Sequence, residues 1–153
     1  MVAATEQDAQ NVGRTLVFRP RHRLTHAREF RAVFDAKLRK GAGPLTVFVR
    51  ESGRADLRLG LSIGRRVGGA VERNRVKRMI REAFRHERGV LLDRCGPLDL
   101  VVSSRAHARA SLADYRGWLR SATERAAREL GKRRARDGVA GGPDLEREKK
   151  PGC

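Results

Sequence analysis

A chain of 153 residues with 35 Lys plus Arg against 18 Asp plus Glu carries a formal net charge of +17. That length suits one domain with tails, and so large an excess of one sign goes beyond what solubility needs; it points to a polyanionic partner, nucleic acid first and an anionic membrane surface second. An aromatic content of 5% argues against an aromatic-rich single-strand platform, no run of about 18 apolar residues is available to span a membrane, and two cysteines, Cys95 and Cys153, do not make a disulfide framework, which fits a reduced, cytoplasmic protein.

Residues 1–20 show little periodicity, lack the basic start and apolar core of a secretory signal, and read as a flexible arm made basic near its end by Arg19, Arg21 and Arg23. Over 25–38, Phe30, Val33, Phe34 and Leu38 recur at helical spacing, with Thr25 as the N-cap and Gly41, Gly43 and Pro44 as the stop. "LTVFVRE" (45–51) and "LRLGLSI" (57–63) read as strands, and the polar turn "SGRAD" between them predicts an antiparallel hairpin. A glycine-punctuated loop, "GRRVGG", leads into a basic helix over 71–88. "LDLVVS" (98–103) is a short apolar strand. A last helix spans 111–130, capped by Ser111 with Asp114 at the third position, and buries Leu112, Tyr115, Leu119, Ala122, Ala126 and Leu130. From 131 to 153 the chain is rich in Gly and charge and reads as a disordered tail, which leaves 21–130 as the folded domain. The order is helix, strand, strand, helix, strand, helix, an α+β arrangement with a small sheet covered by helices.

The basic helix carries the functional argument. Val76, Met79, Ile80 and Ala83, with Phe84 beside them, form its packing side; Arg73, Lys77, Arg81, Arg85 and Arg88 wind along the neighbouring side, Arg78 is close by and Arg75 projects further round. Glu82 and Glu87 offset little of this charge. Like charges at i,i+4 oppose helix formation by a few tenths of a kcal/mol per pair. Such a row has no structural return, but its guanidinium groups suit phosphate. A solvated basic face is the alternative. The loop before the helix can bring backbone N–H groups and Arg65 and Arg66 close to a phosphate, although no Gly-Lys-Ser/Thr closes it as a nucleotide-binding loop; its glycines also serve a tight connection.

"RLGLSIGRRVGGAVERNRVKRMIREAFR" (58–85) resembles the signature of the bacterial ribonuclease P protein component, in which a strand ending Gly60-Leu61-Ser62 is followed by a basic loop with Arg65-Arg66 and then Arg73-Asn74-Arg75-Val76-Lys77-Arg78. "RHRLTHAREFRAVF" (21–34) is similar to that family's opening, and the resemblance spans about 21–130. It implies a four-stranded mixed sheet in the order α-β-β-(β)-α-β-α, with one strand that periodicity does not reveal. It also implies a left-handed βαβ crossover through the basic helix, as in the ribosomal protein S5 domain 2-like fold. The implied activity is removal of the 5′ leader from precursor tRNA by a catalytic RNA and its Mg²⁺, the metal being held mainly by the RNA while the protein binds RNA and leader. Carried over residue by residue, the catalytic RNA falls to Arg73, Asn74, Arg75, Lys77, Arg78 and Arg81. The leader groove falls to Phe30, Phe34 and Phe48 with Arg65 and Arg66. Phe30 and Phe34 share a helix face and could stack on unpaired bases, or pack in the core. Gly69 stands where many relatives carry Asn, and nothing beyond 130 matches a family motif.

No active site of the protein's own is expected. His22, His26, His86 and His107 lack partners at metal-ligand spacing, Cys95 has no nearby His or second Cys, and Glu72, Glu82 and Glu87 sit among arginines that keep them ionised. The chain is expected to act as a non-catalytic component. A structural or ribosomal RNA-binding protein fits size and charge equally well, whereas a DNA-binding regulator would need dimer signals and a helix-turn-helix that are not found.

Overall fold

The computed structural model describes residues 19–139. A 3₁₀ turn (Pro20–His22) precedes helix α1 (Ala27–Asp35), strands β1 (Arg39–Ala42), β2 (Leu45–Glu51) and β3 (Arg58–Ser62), a second 3₁₀ turn (Arg65–Val67), helix α2 (Ala70–Cys95), strand β4 (Leu98–Ser104) and helix α3 (Leu112–Val139). The four strands form one sheet in the order β1-β2-β4-β3. β1 with β2 and β2 with β4 are antiparallel, and β3 with β4 is parallel.

The hairpin expected between 45–51 and 57–63 does not form, because β4 lies between those two strands. The reason is burial. Leu98 to Val102 are covered on both faces of the sheet, so β4 needs a neighbour on each side. β2 instead makes its hairpin with β1 across Gly43 and Pro44. Gly43 takes φ +57, and a Cβ there would lie 2.4 Å from the Trp118 ring, so both the turn and the close approach require glycine. β1 has the sequence RKGA with no apolar alternation, as suits an exposed edge strand, and periodicity therefore passes it over. β3 and β4 are joined through α2, the crossover that the resemblance implies.

Helix limits differ in instructive ways. The cap of α1 is His26 rather than Thr25, and Glu29 Oε1 accepts the backbone N–H of both, at 3.3 and 3.2 Å. α1 ends at Asp35; Lys37, at φ 54, turns the chain, so Leu38 is buried after the helix rather than on it. The start of α3 is as expected: Ser111 Oγ accepts the Asp114 N–H at 3.1 Å and Asp114 Oδ2 accepts the Ser111 N–H at 3.0 Å. Its end is not. The helix passes the expected boundary at 130 and continues to Val139, and within this extension Arg133 donates to the carbonyls of Ala36 and Lys37 at 3.0 and 3.1 Å. The rest of the expected tail, and residues 1–18 of the expected arm, lie outside the described residues. Arg19 and Pro20 already belong to the fold, since the first 3₁₀ turn places His22 inside and Leu24 N–H bonds to Leu59 O at 2.9 Å.

α2 and α3 cover one sheet face, where Val76, Ile80, Phe84, Tyr115, Leu119 and Ala126 join Val47, Val49, Leu100 and Val102 in the main core. Glu87 is buried at that helix pair, 2.7 Å from Arg116 Nε and 2.8 Å from Arg120 Nε. Burial pushes its carboxyl up, but the two arginines outweigh this and hold it below the usual carboxylate range. Arg88, expected on the outward basic row, is also buried and donates to Asp56 Oδ1 at 3.1 Å. α1 covers the other sheet face through Leu24, Val33 and Val101, with Phe30 and Phe48 alongside.

On that second face Asp99 of β4 is fully buried. It accepts from Arg58 of β3 at 2.9 and 3.1 Å and from Arg50 of β2 at 2.8 Å, and Arg58 also donates to Glu29 of α1 at 2.9 Å. Burial raises the Glu29 pKa, yet the hydrogen bonds from His26 and Thr25 and the Arg58 guanidinium bring it down to about 2. Asp99→Ala leaves the buried guanidinium of Arg58 with Glu29 alone and should cost about 3–5 kcal/mol in urea unfolding. Arg94→Ala, which removes an exposed pair with Glu124, should cost less than about 1 kcal/mol.

His22 gives a pH dependence. Burial first, and Arg88 second, lower its pKa from 6.5 to about 4, and its Nδ1 accepts the Arg19 N–H at 3.0 Å, which requires the neutral ring. The unfolded chain takes up this proton near 6.5 and the folded chain only near 4. The stability is therefore complete above pH 6.5 and falls between 6.5 and 4, by up to roughly 3 kcal/mol. Urea unfolding of parent and His22→Gln across that window should show the slope flattened in the variant.

Candidate nucleic-acid interface

The site is built on the sheet face that α1 only partly covers. Phe48, Val101 and Gly60 are cross-strand neighbours in β2, β4 and β3 and so share that face. The Phe30 ring lies against Gly60 so closely that a Cβ there would be 2.6 Å from Phe30 Cζ. Phe34 stands edge-on to Phe48 at 4.8 Å and 77°, with 37% of its surface exposed. Of the two readings of these rings, Phe30 and Phe48 are half-buried core neighbours, and Phe34 offers the open ring.

A groove of about 230 Å³ runs between α1 and α2, lined by Arg23, Thr25, Phe30, Gly60, Lys77 and Arg81. Two residues that the family pattern assigns to the catalytic RNA, Lys77 and Arg81, thus share a groove with a residue it assigns to the leader. Further along the same sheet face, where Thr46, Ser103 and Ser62 are neighbours, a cleft of about 310 Å³ is lined by Gly41, Thr46, Arg66, Ser103, Ser104 and Arg105. Arg65 and Arg66 are both exposed in the second 3₁₀ turn. Sequence reasoning alone does not single out Arg105 or Ser103; the available signal is a basic residue placed just after the C-terminal end of an apolar strand.

The remaining candidates divide by their partners. Asn74, Arg78 and Arg81 are exposed and Lys77 is half-buried; among the described residues Lys77, Arg78 and Arg81 form no salt bridge. Arg73 Nη1 donates to Gly68 O at 3.0 Å and so closes the loop before α2, where Gly69 supplies no side-chain cap. Arg75 is different. Only 12% of its side chain is exposed, and it is paired with Glu72 and lies beside the Tyr115 hydroxyl. His107 Nδ1 lies 2.9 Å from Arg105 O, a carbonyl that can only accept, so the proton sits on Nδ1 and Nε2 accepts the Tyr115 O–H at 2.6 Å. These bonds tie the first turns of α3 to the loop carrying Arg105, with Arg75 of α2 alongside. Burial pushes the Tyr115 hydroxyl up, so it stays protonated and able to donate.

Among the described residues no three His, Cys, Asp or Glu side chains converge as a ligand set for the Mg²⁺ that the resemblance implies, and Glu29, Glu72, Glu82 and Asp99 are each held by arginine. No helix among the described residues is long and apolar enough to cross a membrane.

The described residues form a basic α+β domain in which Asp99, Glu87, Glu29 and Glu72 are paired with arginines while Arg65, Arg66, Arg78 and Arg81 stand exposed. The family model described as Ribonuclease P matches residues 18–130, and the chain belongs to that family. The Ribonuclease P protein component of Methylococcus capsulatus is 42% identical over 88 residues, 57% of this chain and 66% of that one. That of Thioalkalivibrio sulfidiphilus is 39% identical over 111 residues, 66% of this chain and 87% of that one. The RNase P protein from Thermotoga maritima matches in structure with a TM-score of 0.56 at 31% identity, covering 67% of this chain and 96% of that one. Against the Methylococcus and Pseudomonas aeruginosa relatives the chain spans 60–66% of their length.

Tyr115→Phe removes the hydroxyl that donates to His107 beside Arg75 and should destabilise by roughly 1–3 kcal/mol. Hydrogen exchange should quicken in the 105–110 loop and the first turn of α2, while α1 stays protected.

Proposed function

We propose that this chain is the protein subunit of a ribonuclease P holoenzyme. In this reading it binds the catalytic RNA and the 5′ leader of precursor tRNA in the cytoplasm and assists removal of the leader, with the chemistry carried by the RNA and its Mg²⁺. The observation that carries the reading is the groove shared by Phe30, Lys77 and Arg81, since it sets an aromatic face and two unpaired cations side by side. Bases of an unpaired strand can stack on Phe30 and Phe34 while its phosphates meet Lys77 and Arg81. Arg65 and Arg66 extend the charge toward the cleft that contains Arg105. Asn74 and Arg78, exposed on the adjoining strip of α2, are left for the catalytic RNA. Arg73 and Arg75 hold the helix start in place for them, through Gly68 and through Glu72 and Tyr115. For Arg75 a planar fork serves two partners at once, which lysine cannot reproduce.

The test is reconstitution. Purified chain added to the cognate catalytic RNA at low Mg²⁺ should stimulate leader removal, and the chain alone should cleave nothing. Phe30→Ala should weaken precursor binding by roughly 1–3 kcal/mol and leave mature tRNA binding alone. Replacing Lys77, Arg78 and Arg81 together by Gln should preserve the fold, lower RNA affinity and shallow the salt dependence by roughly 0.7–0.9 in log–log slope for each phosphate no longer neutralised. RNA binding without any stimulation of cleavage would favour a structural RNA-binding protein instead.

A further inference from the structure

α3 continues past residue 130, where the family match ends, as far as Val139. Its own residues explain this only in part: Lys, Arg and Ala favour a helix, but Gly131 costs backbone entropy and Lys132 and Arg136, four apart, repel each other. What holds the extension is Arg133, whose two Nη atoms reach the Ala36 and Lys37 carbonyls at the C-terminal end of α1. Those are carbonyls that a helix end leaves without intrahelical donors. Arg134 also pairs with Glu51 at the end of β2.

The docking gathers charge at one corner. Lys132, Arg134 and Arg136 on the extension and Lys37 and Arg39 at the α1–β1 junction are all exposed. Among the described residues Lys37, Arg39 and Lys132 have no salt bridge, while Glu129 is shared loosely by Arg133 and Arg136 at 4.0 and 3.8 Å. Asp35 and Glu51 are the other carboxylates nearby, and both are exposed. Arg39 is the cross-strand partner of Phe48, so this corner begins where the open Phe34–Phe48 pair ends. It lies at the β1 edge of the sheet, across from the β3 edge where Lys77 and Arg81 meet Gly60.

We infer that this corner is a second phosphate-binding surface, which takes the upstream nucleotides of the leader after they pass Phe34 and Phe48. The inference rests on the proposed leader-binding role. A single strand is the occupant that fits: its path over the rings leads to this edge, and an RNA lying along α2 is at the opposite edge. The cations are spaced and exposed, as a surface that tracks a phosphate backbone requires.

The test uses full-length chain assembled with the catalytic RNA. Lys132, Arg134 and Arg136 are replaced together by Gln, and binding is measured over a range of salt. The ligands are precursor tRNA with a long leader, precursor trimmed to the leader nucleotides next to the cleavage site, and mature tRNA. The expected result is several-fold weaker binding of the long-leader precursor alone, with its log–log salt slope shallower by about 0.7 for each phosphate that the variant leaves unneutralised. Lys37→Gln with Arg39→Gln, on the other wall of the corner, should reproduce that selectivity, so the outcome does not depend on the extension staying folded. No selective loss in either variant would overturn the inference. Equal loss for all three RNAs would also overturn it and assign the corner to the catalytic RNA. Stimulated cleavage of the short-leader precursor by the parent chain checks the broader reading separately, and survives if only the corner is wrong.

Discussion

The buried carboxylate of Asp99 is the constraint on which the rest of the structure depends. It sits in the central strand, and the arginines that satisfy it come from the strands on either side, Arg50 and Arg58. A charge taken out of water is tolerated only when it is paired and hydrogen-bonded, so Asp99 in effect specifies the register of three strands at once. Arg58 then carries the constraint outward to Glu29, and with it to the first turn of α1. That places α1 across the sheet at the height where Phe30 meets Gly60 and Phe34 meets Phe48. The aromatic groove is thus a consequence of an ionic network that touches none of its rings.

The same logic accounts for the distribution of charge. Acidic residues are few, and the structure pairs many of them with arginine: Asp99 buried in the sheet, Glu87 buried between α2 and α3, and, nearer the surface, Asp56 against Arg88 and Glu72 against Arg75. Each pairing commits a carboxylate that would otherwise have screened the remaining cations. The net charge of +17 is therefore expressed on the outside, along α2, in the loop with Arg65 and Arg66, and around Arg105. The repulsion among those cations weakens the isolated protein, and a polyanion supplying counter-charge would relieve it.

The parallel pairing of β3 with β4 makes this arrangement useful. Because the connection between them must cross from one end of the sheet to the other, it contains the whole of α2. The loop with Arg65 and Arg66 leaves β3, and the loop with Arg105 leaves β4, at the same end, since parallel strands finish together. A hairpin between β2 and β3 would have separated these loops. The bonds from Tyr115 through His107 to the Arg105 carbonyl then hold the second loop against α3, with Arg75 of α2 beside the Tyr115 hydroxyl.

Much of the fold was legible in the sequence because it depends on periodicity and local chemistry. Val76, Ile80 and Phe84 on α2, Tyr115, Leu119, Ala122 and Ala126 on α3, and the reciprocal cap of Ser111 and Asp114 all follow from spacing along the chain, as do the excess of cations on one side of α2 and the α+β class. The family pattern added the aromatic residues of α1. What only the tertiary structure decided concerns partners far apart in sequence. The neighbour of each strand was one such matter, since β4 is buried on both faces and had to be flanked. Another was the edge strand Arg39–Ala42, held by pairing rather than by apolar content. The inward turn of Arg75, Glu87 and Arg88, each charged and each satisfied by a residue on another turn or another element, was likewise invisible. So was the docking of the α3 extension on α1. Periodicity reports which face of an element is apolar; it carries no record of which distant counter-charge will meet a given arginine, and that pairing settles which cations remain outside to bind.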